Sequence, residues 1–172
     1  MLDRGITEET IKKFKIGCTP DGQYITFPCW DKFGNLIGIF KRATTNKSFI
    51  IPKDILKPIY LLNFVLKENY DTVFVCEGNF DALKMWQNGY PSIALFGAGT
   101  SKSQIELLNS TEIRNYILMY DNDIAGRHGA ERFKKFIRKD VFVTDVIMPE
   151  GKDCADCSKE EIDTILQAYG IK

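Results

Sequence analysis

Residues 117–127 read Ile-Leu-Met-Tyr-Asp-Asn-Asp-Ile-Ala-Gly-Arg, an apolar run followed at once by two aspartates and a glycine. The run predicts a buried strand, and the segment that follows has the apolar period of a helix. A similar arrangement occurs upstream, where residues 72–76 read Thr-Val-Phe-Val-Cys and are followed by Glu77 and Gly78. Two strands that each end in carboxylates indicate one acidic cluster at the edge of a sheet.

From residue 71 onwards, the chain alternates short apolar strands with helical patterns. Ser101 or Ser103 is the expected cap of the second helix, and Ser158 with Glu161 has the spacing of a capping box. This alternation predicts an α/β fold with a parallel sheet and helices on both faces. The predicted strands cover residues 72–76, 92–96, 116–120 and 141–148, and the predicted helices cover 79–88, 101–108, 125–139 and 158–169.

The first 70 residues have a different pattern, which predicts a small α+β lobe. Residues 7–14 fit a short helix, and a turn-rich segment joins two expected strands at 24–29 and 36–42. A third short strand is expected at 48–51. We place the domain boundary near residue 70, so that 1–70 form the lobe and 71–172 form the sheet domain.

The formal net charge of zero hides an asymmetry between these two parts. Residues 1–70 carry 11 Lys and Arg against 7 Asp and Glu, whereas residues 71–172 carry 12 against 16. A basic surface beside an acidic metal site suits a protein that processes polyanions. Scattered surface lysines would produce an imbalance of the same size, so the charge alone does not decide the function.

The composition is that of an ordinary globular protein, with 44% apolar and 27% charged residues. No apolar run approaches the length of a membrane span, and the first residues lack the order of a signal peptide. Five cysteines without a repeating framework favour reduced thiols and a cytoplasmic setting.

Acidic residues follow three of the predicted strands. Ligands of an open parallel sheet bind outside the carboxyl ends of its strands. Oxygen-rich sites favour Mg²⁺, which points to phosphoryl-transfer chemistry on nucleotides or nucleic acid. A plainer interpretation is that the aspartates cap the next helix or lie in a solvated loop. The residues are Glu77 after the first strand, Asp121 and Asp123 after the third, and Asp153 and Asp156 after the fourth.

Several of these motifs resemble those of the TOPRIM domain, and in particular of primases of the bacterial DnaG and phage types. Residues 77–81, Glu-Gly-Asn-Phe-Asp, and the Asp-x-Asp motif resemble TOPRIM domains in general. Three further segments resemble the motifs of primases in particular. They are residues 120–127, the glycine-rich loop at 96–101 and the segment Pro-Glu-Gly-Lys-Asp at 149–153. In the lobe, the Arg-Gly-Ile sequence that starts at Arg4 resembles the opening of the primase polymerase core.

The resemblance implies specific roles for residues of both parts. Glu77, Asp121 and Asp123 would be catalytic and, with Asp153, would bind Mg²⁺ or Mn²⁺. Asp81 and Asp156 would support this cluster. Nucleotide or nucleic acid would be bound by Lys41, Arg42, Lys47, Gly97, Gly99 and Arg127.

The resemblance also implies partners. A primase core would act on a single-stranded DNA template and ribonucleoside triphosphates, beside a replicative helicase, in the cytoplasm of a bacterium or a phage-infected cell, without a membrane. Primases of these families carry a zinc-binding module that reads the template, but this chain has one close cysteine pair, Cys154 and Cys157. We therefore expect such a module in cis or in trans.

Two other functions fit the same residues. A TOPRIM nuclease would use the same metal cluster with water in place of the primer hydroxyl. A non-catalytic module that binds single-stranded DNA during replication would need the basic lobe but would gain nothing from the carboxylates.

Overall fold

The computed structural model describes residues 1–46, 48–52 and 55–171. Within these residues, eight strands form two sheets. The strands are β1 (Gly17–Cys18), β2 (Tyr24–Trp30), β3 (Leu36–Ala43), β4 (Phe49–Ile50), β5 (Thr72–Cys76), β6 (Ser92–Ala94), β7 (Asn115–Met119) and β8 (Phe142–Asp145). The helices are α1 (Glu8–Lys13), α2 (Leu62–Lys67), α3 (Asn79–Gln87), α4 (Lys102–Asn109), α5 (Ile124–Phe136) and α6 (Lys159–Ala168), and Leu2–Arg4 form a 3-10 turn.

The second sheet is parallel and has the strand order β6-β5-β7-β8, which confirms the predicted α/β fold. The connection from β5 to β6 runs in one direction across the sheet, whereas the connections from β6 to β7 and from β7 to β8 run in the opposite direction. Right-handed crossovers therefore place α3 on one face and α4 and α5 on the opposite face. Strands β5, β6 and β7 are almost entirely buried, as expected for a sheet covered on both faces.

The helix caps of this sheet follow the predicted chemistry. The Ser101 hydroxyl accepts the backbone N–H of Gln104, and the Gln104 side chain accepts the N–H of Ser101. Ser158 and Glu161 form the same reciprocal pair at the start of α6. These capping boxes satisfy backbone donors that have no partner within the helix, and so they set where α4 and α6 begin.

Three elements end earlier than the sequence predicts. Strand β6 stops at Ala94, and Phe96 has a left-handed backbone with φ of 57°, which a strand does not accommodate. Helix α5 stops at Phe136 because Ile137 is extended, with φ of −65° and ψ of 148°. Strand β8 stops at Asp145, near the last paired residue of β7.

The first sheet is antiparallel, with the order β1-β2-β3-β4, and forms the predicted lobe together with α1. The Asp31 carboxylate accepts the backbone N–H groups of Phe33 and Asn35, both at 2.9 Å, and so closes the turn between β2 and β3. Strand β1 and helix α2 were not expected from the sequence. Helix α2 lies in an apolar stretch whose conformation depends on packing against the rest of the chain.

The lobe and the parallel sheet share one hydrophobic core. Tyr60 exchanges two backbone hydrogen bonds with Ala94 of β6, at 2.9 and 3.1 Å. Phe14, just after α1, packs edge-on against Trp86 of α3 with ring centroids 5.5 Å apart. The boundary near residue 70 stays a prediction. No helix among the described residues combines the length and the apolar character needed to cross a bilayer.

Candidate acidic site between the lobe and the sheet

The carboxyl ends of β5 and β7 bring Glu77 and Asp121 together. The two strands are in register, with Cys76 opposite Met119, so the residues that follow them leave the sheet side by side. Glu77 Oε1 accepts the backbone N–H of Asp121 at 3.2 Å. The two carboxylate-bearing segments are therefore joined directly.

Two glycines allow this close approach. A Cβ atom on Gly126 would lie 2.1 Å from the carbonyl oxygen of Asp121 and 3.1 Å from Glu77 Oε1. A Cβ atom on Gly78 would lie 2.5 Å from Asp81 Oδ2. Side chains larger than hydrogen at these positions would push the carboxylates apart, so the glycines belong to the architecture of the site.

The loop after β8 brings a second group of carboxylates to the same edge. Asp153 Oδ1 accepts the backbone N–H of Asp156 at 2.9 Å, which folds the loop on itself. The N–H of Ala155 donates to Asp81 Oδ1 at 3.2 Å, and this hydrogen bond attaches the loop to α3. Asp81 therefore lies between the carboxyl end of β5 and the acidic loop.

Asp123 differs from Asp121 although only one residue separates them. Asp123 is the N-cap of α5, and its Oδ1 accepts the backbone N–H of Gly126 at 2.7 Å. The capping interpretation is therefore correct for Asp123. The Asp121 side chain does not cap the helix; it contributes its carboxylate to the acidic cluster.

Burial and mutual repulsion raise the pKa of three carboxyl groups in this cluster. Burial, followed by the charge of Asp153, raises the pKa of Asp81 to about 7. Burial and the charge of Asp121 raise the pKa of Glu77, and burial and the charge of Asp153 raise the pKa of Asp121. Each ionised group therefore lies in an environment that favours its neutral form, and a bound cation would relieve this cost.

Three adjoining cavities, which share lining residues, form one cleft between the lobe and the sheet edge. Their volumes are about 460, 380 and 250 Å³. The first is lined by residues that include Arg4, Arg42, Asp81, Asp153 and Asp156; the second by Arg42, Phe49, Ile51, Glu77, Asp81, Phe96, Gly97 and Asp121; and the third by Asp121, Asp123, Lys152, Asp153 and Asp156.

Two arginines from the lobe enter this cleft. The guanidinium carbons of Arg4 and Arg42 lie 4.8 and 5.1 Å from the centre of the Phe80 ring. Burial and the nearby charge of Arg4 lower the pKa of Arg42. Neither arginine forms a salt bridge with a carboxylate among the described residues. Their donors are therefore available to an anion in the cleft.

Residues 74–158 match a family model described as Toprim-like. The chain is 29% identical over 139 residues to the uncharacterized protein MG010 of Mycoplasma genitalium, covering 77% of this chain and 63% of that protein. It is 25% identical over 201 residues to the DNA primase of Clostridium acetobutylicum, covering 88% of this chain and 33% of that protein. The chain thus spans less than two thirds of the length of either relative.

Several solved primase structures share the fold of this chain. The DnaG primase catalytic domain bound to single-stranded DNA superimposes with a TM-score of 0.80 at 22% identity, covering 97% of this chain and 69% of that one. The zinc-binding and RNA polymerase domains of Aquifex aeolicus primase give 0.80 at 21%, covering 97% and 54%. The primase fragment of the bacteriophage T7 primase-helicase gives 0.77 at 24%, covering 98% and 72%.

The chain has the fold of a TOPRIM primase core. The cleft is lined by eight of the residues that the sequence singled out. One predicted binder, Lys47, lies outside the described residues. The eight are Glu77, Asp81, Asp121, Asp123, Asp153, Asp156, Arg42 and Gly97.

Three other predicted binders lie outside the cleft lining. Lys41 is next to Arg42 on β3, but alternation along the strand points it to the opposite face of the lobe sheet. Arg127 donates to Asn122 Oδ1 at 3.1 Å from an exposed position at the start of α5. The exposed Gly99 accepts a hydrogen bond from Lys57 Nζ on its carbonyl oxygen at 3.0 Å.

Arg4 was not among the predicted binders, although the sequence contained a signal for it. The Arg-Gly-Ile motif marked the start of the lobe, but nothing in its spacing showed that the side chain would reach Phe80 and the acidic loop. That position depends on how the 3-10 turn packs against α3. Gly5 and Lys84 are joined there, with Lys84 Nζ donating to the Gly5 carbonyl at 3.3 Å.

The carboxylates of the cleft fit a divalent cation by their donor chemistry. Among the residues that the structure describes, no three histidine, cysteine or carboxylate side chains already form a metal-binding arrangement. Mg²⁺ rarely needs one, because it keeps several waters and is held by one or two carboxylates together with substrate phosphates. The raised pKa values of Glu77, Asp81 and Asp121 are the electrostatic signature of a cluster that a cation would stabilise.

Proposed function

We propose that this chain is the catalytic core of a DNA primase, which joins ribonucleotides on a single-stranded DNA template. The observation that carries the proposal is the cleft itself, where Arg4 and Arg42 share a cavity with Asp81, Asp153 and Asp156. A carboxylate cluster alone would serve many metal-dependent reactions. Guanidinium groups next to it add a place for the phosphates of a nucleotide. The primase-core fold and the primase relative support the same activity.

The residues of the cleft have distinct roles in this proposal. Glu77, Asp121 and Asp153, together with Asp123, would hold Mg²⁺ or Mn²⁺, which when bound would neutralise phosphate charge and lower the pKa of the attacking hydroxyl. Arg4 and Arg42 bind the triphosphate oxygens. The Phe80 ring supports both guanidinium groups and limits their motion.

Other residues keep this arrangement in place. Asp81 accepts the N–H of Ala155 and so holds the acidic loop against α3. Asn122 Nδ2 donates to the carbonyl oxygen of Met148 at 3.0 Å and fixes the start of the same loop to the end of β7. Asp153 therefore approaches Asp121 because two separate hydrogen bonds hold its loop to the sheet edge. Asp156 supports it from within the loop.

We propose the partners on the same basis. The substrates are single-stranded DNA and ribonucleoside triphosphates, and a replicative helicase and a zinc-binding module, in cis or in trans, assist the core. The solved Aquifex aeolicus protein combines zinc-binding and RNA polymerase domains, and the T7 protein is a primase-helicase. The cytoplasm of a bacterium or of a phage-infected cell is the setting that suits these partners.

The decisive assay offers the protein a short RNA primer annealed to a DNA template, with Mg²⁺ or Mn²⁺ and labelled ribonucleotides. Extended primers on a denaturing gel are the expected product, and Asp121→Asn should reduce them by on the order of a hundredfold or more, because it removes a charge that acts in the transition state. Glu112→Gln is the matched control, since Glu112 is exposed and pairs with Arg114 far from the cleft.

Two outcomes would contradict the proposal. Shortening of the DNA under the same conditions, lost in Asp121→Asn, would identify a TOPRIM nuclease instead. Binding of single-stranded DNA without extension or cleavage, unaffected by Asp121→Asn, would identify a non-catalytic module.

A further inference from the structure

One part of the cleft is apolar and aromatic. In the cavity of about 380 Å³, the side chains of Phe49, Ile51 and Phe96 form what we call the aromatic wall. The rest of the lining is polar or glycine and includes the charged residues Arg42, Glu77 and Asp121. An apolar aromatic surface does not favour the binding of a metal ion or a phosphate. The wall therefore indicates a ligand that has an apolar part as well as a charged one.

Strand pairing explains why the wall lies next to the arginine. Arg42 of β3 is directly opposite Phe49 of β4, so the two side chains lie on the same face of the lobe sheet. Ile51 is two residues further along the chain, on the same side as Phe49. The face of the lobe that supplies positive charge therefore supplies the apolar surface as well.

Phe96 enters the wall from the parallel sheet, in an unusual conformation. Its φ of 57° is in the left-handed region, which is unfavourable for a bulky side chain. The backbone on both sides is tied to β5: Leu95 N–H donates to Cys76 O at 3.1 Å and Gly97 N–H to Glu77 O at 2.8 Å. The turn thus places an aromatic ring immediately beside the Glu77 segment.

The Phe96 ring is supported from behind and keeps a surface toward the cavity. It stacks on the buried Phe40 ring, with centroids 4.9 Å apart and planes 17° apart, and lies 5.5 Å from Phe49. Phe40 is fully buried, whereas Phe49 and Phe96 are half-buried. The wall is therefore a rigid surface that a flat apolar group can meet without reorganisation of the core.

We infer that the aromatic wall binds the nucleobase of the incoming ribonucleotide, while the arginines and carboxylates bind its triphosphate. This inference rests on the proposed function and adds the place of the base. A nucleotide is flat and apolar at one end and anionic at the other, which matches the two parts of this cavity. Stacking on an aromatic ring tolerates all four bases, because every base has a π-face, so template pairing is left to select the nucleotide.

The test compares ATP with inorganic tripolyphosphate, which has the phosphates but no base. Dissociation constants are measured by calorimetry with Mg²⁺ for the full chain and for Phe96→Leu and Phe49→Leu. Leucine keeps apolar bulk and has the same backbone limits as phenylalanine, so it removes the ring with little other change. We expect ATP affinity to fall about tenfold in each variant, within the range of base stacking, and tripolyphosphate affinity to stay constant.

Phe142→Leu is the matched control, because Phe142 is 76% exposed and lies on β8, outside the cleft lining. It should leave both affinities unchanged. Circular dichroism establishes that each variant is folded. If Phe96→Leu fails to fold, 8-azido-ATP crosslinked to the unaltered protein provides the same information, since its labelled peptides should contain Phe49 or Phe96.

The possible results separate this inference from the proposed function. Equal affinity of the unaltered protein for ATP and tripolyphosphate, with normal primer extension, would overturn the aromatic wall as a base site and leave the primase proposal intact. Loss of single-stranded DNA binding in Phe96→Leu, with ATP binding unchanged, would assign the wall to a template base and also overturn the inference. Absence of both nucleotide binding and primer extension in the unaltered protein would refute the primase proposal itself.

Discussion

The edge of the parallel sheet and the inner face of the lobe meet across the same cleft, but they hold their charges in different ways. At the sheet edge, burial and the charges of neighbouring carboxylates raise the pKa of Glu77, Asp81 and Asp121, and backbone N–H groups donate to oxygens of Glu77 and Asp81. In the lobe, Arg4 and Arg42 lie against the Phe80 ring without a carboxylate partner among the described residues.

The difference indicates that the charges of the sheet edge lower the stability of the folded protein, whereas those of the lobe do not. Like charges at the sheet edge disfavour the folded protein unless a cation is bound, so substitutions there should affect stability as well as activity. Arg4 belongs to the 3-10 turn and Arg42 to β3, and neither forms a salt bridge among the described residues, so substitutions there should affect ligand binding alone. Four experiments test this comparison.

The largest structural effect is expected at Gly126. Gly126→Ala forces a Cβ atom to within 2.1 Å of the Asp121 carbonyl, so the start of α5 must move away from the sheet. We expect a loss of about 1–3 kcal/mol in the free energy of unfolding, as for other overpacked sites. Urea denaturation measures it. Gly99→Ala is the control, because a Cβ there meets nothing within 4 Å; equal losses in both variants would show that packing at the sheet edge is not special.

Asp81 should make stability depend on pH. Its pKa is about 7 in the folded protein, against a usual value of 3.8. The folded state therefore holds an extra proton between these values, and the free energy of unfolding should decrease as pH rises from about 4 to about 7, then level off. We expect a change of about 1–2 kcal/mol, less than the full shift implies, because the side chain keeps some exposure to solvent.

Thermal or urea denaturation at pH 5 and pH 8, without metal, measures this effect. Asp81→Asn should flatten the profile, because it removes the titrating group and keeps the size of the side chain. Glu112→Gln is a suitable control, because Glu112 is exposed and lies outside the cleft lining. If the free energy of unfolding of Asp81→Asn still decreased with pH to the same extent, ionisation of Asp81 would not be the cause of the pH dependence.

The lobe is tested by comparing two neighbouring residues of β3. Arg42→Gln should weaken tripolyphosphate binding about tenfold, since a charge-assisted hydrogen bond contributes about 1.5–3 kcal/mol. Lys41→Gln should leave it unchanged, because Lys41 is on the outer face. If Lys41 instead binds a phosphate of single-stranded DNA, Lys41→Gln should reduce the log–log salt slope of DNA binding by roughly 0.7. An effect of Lys41→Gln on tripolyphosphate would contradict the division between the two faces.

The smallest effect separates Asp121 from Asp123. Asp123→Ala removes the cap of α5 and should lower the free energy of unfolding by about 1 kcal/mol, while Asp123→Asn keeps a capping oxygen and should be nearly neutral. Asp121→Asn removes repulsion and should leave the metal-free protein equally stable or more stable. A destabilised Asp121→Asn would mean that both aspartates are structural.

Much of the sheet domain could be predicted from local chemistry. The apolar runs before Glu77 and Asp121 are strands, because short continuous apolar runs are typical of buried strands. The capping boxes at Ser101 and Ser158 need only residues three positions apart. Element ends were less predictable. Strand β6 ends before Phe96 because the turn is held by backbone bonds to β5, which lies about 20 residues earlier in the chain.

The sequence by itself determined that strands alternate with helices after residue 71, and that carboxylates follow β5, β7 and β8, since these features depend on neighbouring residues. Only the tertiary structure decided which charged groups share the cleft. It directed Arg42 inward and Lys41 outward through the register of β3, and it brought Arg4 to Phe80. Such choices depend on pairing and packing between distant segments, and short-range patterns contain no information about which segments will meet.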